Sequence, residues 1–108
     1  MLHIAVWVMI VRVYFCNEPD VSPFISGQHK ISRQALYSIY NLVWECEFKN
    51  ILNVGRIWIK FKHEKNPFGI ALRDKRSHNK IAPGDIIQLG NDFYMVQIVG
   101  GKKIELCD

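Results

Sequence analysis

Ser77 and His78 stand side by side, a hydroxyl next to an imidazole, and a nucleophile with a base in reach is the smallest unit of covalent catalysis. Such a unit also needs a third group to orient the base. Neighbours in a loop are not made to face one another by adjacency, so no dyad is assigned. The remaining histidines, His3, His29 and His63, are scattered singly, with no His-x-x-x-His pair and no Glu at metal-ligand spacing. Glu45 and Glu47 lie two apart and on a helix would point different ways. Asp85 and Asp92 fall in turn sequences, Pro83-Gly84-Asp85 and Gly90-Asn91-Asp92, where Asp serves the local backbone. Gly100-Gly101 lacks the spacing of a phosphate-cradling loop. Catalytic residues, metal ligands and cofactors are therefore not expected.

Cys16, Cys46 and Cys107 are an odd number at wide spacing with no Cys-x-x-Cys, which implies neither a disulfide scaffold nor a zinc site and fits a reducing, cytoplasmic setting. The apolar opening from Ile4 to Cys16 is the most hydrophobic run in the chain. It is broken by Arg12 and falls short of the ~20 residues of a spanning helix. Met1-Leu2-His3 also lacks the basic start of a secretory signal. No membrane association is expected.

Charge is the feature that points to a function. The formal net charge is +4, but Lys49 to Lys80 holds nine basic and two acidic residues, net +7, which leaves the rest of the chain at net −3. Within that stretch Arg56, Trp58, Lys60 and Lys62 alternate with Ile57, Ile59 and Phe61. Arg73, Lys75, Arg76 and Lys80 then crowd a polar loop. Cations that neutralise phosphates release counterions, and an exposed aromatic ring can stack on an unpaired base.

The elements that must position these groups follow from periodicity. Ile4 to Phe15 is β-branched and aromatic on both alternating faces, as a central strand buried on two sides would be. From Leu2 to Phe15 it would reach ~46 Å at ~3.3 Å per residue, which predicts a bend. Asn17 to Gly27, with two prolines, is a loop. Ser32 can cap a helix predicted over Arg33 to Glu47, whose apolar stripe is Leu36, Ile39, Tyr40, Val43 and Cys46. From Val54 the period of two predicts a half-buried strand with Arg56, Trp58, Lys60 and Lys62 outward. Gly69 to Leu72, Ile86 to Leu89, Phe93 to Val99 and Lys102 to Leu106 are further short strands, separated by tight turns.

At 108 residues, about half of them hydrophobic, this is one domain, 1–108, with a single core. The predicted class is α+β: a small antiparallel sheet or partly open β-barrel of five to six strands, with one amphipathic helix after the first strand. The predicted function is non-enzymatic binding of DNA or RNA. Arg56, Lys60, Lys62, Arg73, Lys75, Arg76 and Lys80 would contact phosphates while Trp58 stacks. The alternative is a structural or assembly protein, a self-associating or virus-related subunit whose sheet edges meet copies of itself or another protein. A third possibility is a small nuclease with His63, His78 or Glu64 as acid–base groups.

Overall fold

Val11, Val13 and Phe15 alternate with more polar neighbours, and all three are fully buried in β1 (Met9–Cys16). The computed structural model describes residues 8–18, 25, 27–50 and 53–107, so the predicted extension of this strand back to Leu2 lies outside the described residues except at Val8. On the other face of β1, Ile10, Arg12 and Tyr14 are half-buried, and Cys16 at its end is buried. The predicted bend has a counterpart: the pairing with β3 (Tyr40–Phe48) slips by one residue between Val13 and Tyr14.

β2 (Lys30–Ser32) leads directly into α1 (Arg33–Ser38). Ser32 caps α1 as its position suggests, its Oγ accepting the Ala35 N–H at 3.0 Å. The helix ends at Ser38, however, and Tyr40–Phe48 is β3, where the helix was predicted to continue. Tyr40, Leu42, Trp44, Cys46 and Phe48 recur at every second position, and in a stretch this rich in aromatic residues the strand period prevails.

The converse correction applies to Val54–His63, which is a helix, α2, where a strand was predicted. Val54, Ile57, Trp58 and Phe61 fall at i, i+3, i+4 and i+7, a helical stripe superimposed on the period of two. Asn53 decides between them: its Oδ1 accepts the Arg56 N–H at 2.9 Å and caps the first turn. At the other end Lys60, Lys62 and His63 lie in the last turn, where the helix dipole favours cations. A 3₁₀ turn, Pro67–Gly69, follows, and the strand predicted over Gly69 to Leu72 does not form.

β4 (Ile86–Leu89), β5 (Asp92–Val96) and β6 (Gly101–Cys107) form the predicted meander. Gly90, at φ 60°, is the first of two residues linking β4 to β5, a conformation that costs glycine no Cβ clash. Among the described residues the sheet has six strands in the order β2-β6-β5-β4-β1-β3 and does not close. Every pair is antiparallel except β2 with β6, which makes the sheet mixed. The fold class is α+β.

Each face of this sheet carries its own core. On one face Val11, Val13, Phe15, Val43, Trp44, Ile87 and Val96 pack beneath Ile57 and Phe61 of α2. On the other, Cys16, Tyr40, Ile86, Met95 and Ile104 pack beneath Leu36 of α1. Adjacent Ile86 and Ile87 in β4 therefore serve different cores, as strand alternation requires.

Candidate nucleic-acid interface

Because Val54–His63 is helical, Arg56, Trp58, Lys60 and Lys62 do not form one row. Trp58 belongs to the apolar stripe and packs, half-buried, against the core beneath α2. Arg56 and Lys62 are exposed, and Lys60 is half-buried. With Ile59 (48% exposed) and His63 they make an outward face that carries no acidic side chain. Lys60 is the restrained member: its Nζ bridges to Glu64 at 2.9 Å and lies 5.4 Å from the ring centroid of Phe68. Phe68, at φ 54°, is the single non-glycine residue with positive φ among the described residues. Trp44 and Phe48 pack around its ring.

The segment after α2 folds back over β3. Trp44 Nε1 donates to the Ile70 carbonyl at 3.2 Å and the Arg73 N–H donates to the Val43 carbonyl at 2.8 Å. This return brings the basic loop alongside the C-terminal end of α2. Between them lies a cleft of about 670 Å³. Its walls include His63, Glu64 and Lys65 on the helix side and Asp74, Arg76, Asn79 and Lys80 on the loop side. Arg76 is held in place, Nε donating to Asn79 Oδ1 at 3.1 Å and an Nη to the Arg73 carbonyl at 2.6 Å. The cleft thus unites Arg76 and Lys80 of the predicted set with Lys65, which sequence patterning did not single out. Arg56, Trp58, Lys62, Arg73 and Lys75 do not line it.

Pairing separates these cations from the others. Arg12 bridges Glu45, Lys30 bridges Glu105 at 3.7 Å and Lys103 bridges Asp92 at 3.4 Å, while Lys102 donates to the Gly27 carbonyl. Lys49, Arg56, Lys62, Lys65, Arg73, Lys75 and Lys80 form no ion pair among the described residues. Their charge is directed to solvent.

Close to the cleft, Ser77 and His78 do meet a third group. Ser77 Oγ lies 2.7 Å from His78 Nδ1, and His78 Nε2 lies 2.7 Å from Oδ2 of Asp85, which is 1% exposed. Asp85 Oδ2 also accepts the Ala82 N–H at 2.8 Å, and its Oδ1 accepts the Cys16 N–H at 2.9 Å. Phe15 stacks on the imidazole with ring centroids 4.3 Å apart. Burial pushes the Asp85 carboxyl up from its ordinary value, against the downward pull of His78 and of the two backbone N–H groups.

The residue types are those of a nucleophile–base–acid set, but Ser77 Oγ also donates to the Cys16 carbonyl at 2.7 Å. A hydroxyl whose proton is committed to a carbonyl is not poised to hand it to a base. His78 has both ring nitrogens engaged and does not line the cleft, so it does not converge with His63 and Glu64. The signal for this cluster was the Ser77-His78 adjacency, whereas Asp85 was hidden in a turn sequence. Among the described residues no group of His, Cys, Asp and Glu is placed to hold a metal ion, and no helix is long and apolar enough to cross a membrane. Compared with protein-family models, curated proteins and solved structures, the chain matches nothing.

Proposed function

We propose that the protein binds nucleic acid through the outward face of α2 and the adjoining cleft. The observation that carries this reading is the gathering of unpaired cations. The return of the chain over β3 sets Lys65 and Lys80 beside Arg76, whose guanidinium is fixed in advance. A guanidinium already held by its neighbours loses less freedom on meeting a phosphate oxygen. Arg56, Lys60 and Lys62 extend the positive surface along the helix, and Arg73 and Lys75 extend it along the loop. Attraction is assigned to charge, with Trp58 supporting the helix from beneath in place of stacking on a base.

Filter binding or anisotropy with labelled single-stranded and duplex DNA and RNA tests the proposal. Affinity that falls as salt rises, and falls further in Lys65→Ala and Lys80→Ala, is the expected result. Absence of any salt-sensitive binding at low ionic strength removes the proposal.

A second reading, self-association as an assembly subunit, draws on Ile98 and Val99 at the tip of the β5–β6 hairpin, 83% and 75% exposed. Light scattering across a wide concentration range separates the two, since that reading requires mass above the monomer and loss of it in Ile98→Ser.

A further inference from the structure

The end of β1 is held on both its backbone groups by one loop. Asp85 Oδ1 accepts the N–H of Cys16, and Ser77 Oγ donates to its carbonyl, so residues 77–85 clasp Cys16 from two sides. His78 joins the two arms, and proton counting along that chain sets its state.

The Ser77 hydroxyl has one proton and two close neighbours, the Cys16 carbonyl and His78 Nδ1, each at 2.7 Å. A carbonyl oxygen offers only lone pairs, so serving it takes the hydroxyl's proton. What the hydroxyl then turns toward Nδ1 is a lone pair, and that contact is attractive only if Nδ1 carries a proton of its own. On the far side Nε2 and Asp85 Oδ2, 2.7 Å apart, need a second proton between them. A neutral imidazole beside a carboxylate supplies one proton for these two places.

We infer that the folded chain holds one proton more across His78 and Asp85 than a neutral imidazole and a carboxylate carry, and that this proton latches the 77–85 loop onto the end of β1. The proton resides either as imidazolium beside carboxylate or as imidazole beside carboxylic acid, and both satisfy every contact in the chain. Among the described residues Asp85 is ion-paired with His78 and His78 with Asp85, and no other charged side chain is paired with either. From β1 come the Phe15 ring, stacked on the imidazole, and the Cys16 thiol, which burial pushes up from its ordinary value and which donates to the Glu18 carbonyl. From β3 comes Tyr40, its hydroxyl donating to the Gly84 carbonyl at 2.6 Å and likewise pushed up by burial. Within the loop, Arg76 turns to Asn79 and the Arg73 carbonyl, and Lys80 lines the cleft. Raising the pH removes the extra proton and sets a lone pair against a lone pair at Ser77, so one contact of the clasp must open. The latch stands whatever the neighbouring cleft binds.

Long-range ¹H–¹⁵N correlation of the full chain labelled at histidine nitrogens reads the proton positions directly. At about pH 8, where a free imidazole is neutral, His78 Nδ1 is expected to be protonated in the wild type and to lose its proton in Ser77→Ala. A bare Nδ1 in the wild type, with the proton on Nε2 alone, overturns the inference. So does an Nδ1 that stays protonated in Ser77→Ala. Urea unfolding gives a second readout. A folded state that binds the extra proton loses stability as pH rises above about 6.5, where an unfolded imidazole lets go of its own. The wild-type midpoint is therefore expected to fall more steeply than that of Ser77→Ala, and parallel curves overturn the inference equally.

Discussion

Asp85 makes five hydrogen-bonded connections from one buried position: through both carboxylate oxygens to Cys16, Ala82 and His78, through its own N–H to the Ala82 carbonyl, and through its carbonyl, which accepts the Val96 N–H. Asp85→Asn keeps the shape and turns one acceptor into a donor, so an NH₂ must face the N–H of either Cys16 or Ala82. The expected cost is about 1–3 kcal/mol, the penalty for a buried group left without a partner, read as a lower urea midpoint. The pH dependence has a definite sign. Burial raises the carboxyl in the folded state, so its contribution is complete below the ordinary carboxylate range and is lost as pH rises through the raised value. The gap between wild type and Asp85→Asn should thus be widest at acidic pH and narrow upward from there. Of this cluster, the Ser77-His78 adjacency was legible in the sequence. Asp85 was legible only as a turn former, a role it does fill, because its second role depends on β1 passing beneath the same turn.

Among the elements, α2 shows why a period of two misleads in a short amphipathic segment. Ile57, Ile59 and Phe61 would share one buried face of a strand, whereas the helix buries Ile57 and Phe61 and leaves Ile59 48% exposed. Ile59→Lys is accordingly expected to shift stability by no more than about 0.5 kcal/mol. Ile57→Lys, placing an unpaired charge where the side chain is 0% exposed, is expected to cost about 3–5 kcal/mol. Thermal or urea denaturation of the two variants side by side checks the pair, and equal losses would restore the strand. The capping residue Ser32 was a reliable guide to where α1 begins, and Asn53, which the sequence reading did not single out, holds the same position before α2. The end of α1 was obscured because Leu36, Ile39, Tyr40 and Val43 satisfy a helical stripe across what is in fact the junction with β3. The β4–β5–β6 meander was legible as three strands in order, but β5 ends at Val96 where the strand was predicted to run to Val99, and Gly101, predicted as turn, already opens β6.

For the molecule as a whole, the excess of cations between Lys49 and Lys80 was visible in the composition, but its meaning depends on pairing, which only the folded chain reveals. Lys30 and Lys103 sit beside Glu105 and Asp92, whereas Lys65 and Lys80 face one cleft with Arg76 already anchored there. If about four of these cations meet a single strand, each contributing a slope of ~0.7, affinity should fall about 50-fold between about 50 and 200 mM salt. Replacing both Lys65 and Lys80 with Ala should halve the slope and reduce that fall to about sevenfold. Replacing Lys30 and Lys103 removes the same formal charge from partnered positions and should leave the slope unchanged. Anisotropy titrations of the two double variants across this range therefore distinguish a localised site from net positive charge. Equal slopes in the two would mean that the strand responds to the overall charge of the protein, and a lower slope in the first alone assigns the contact to the cleft.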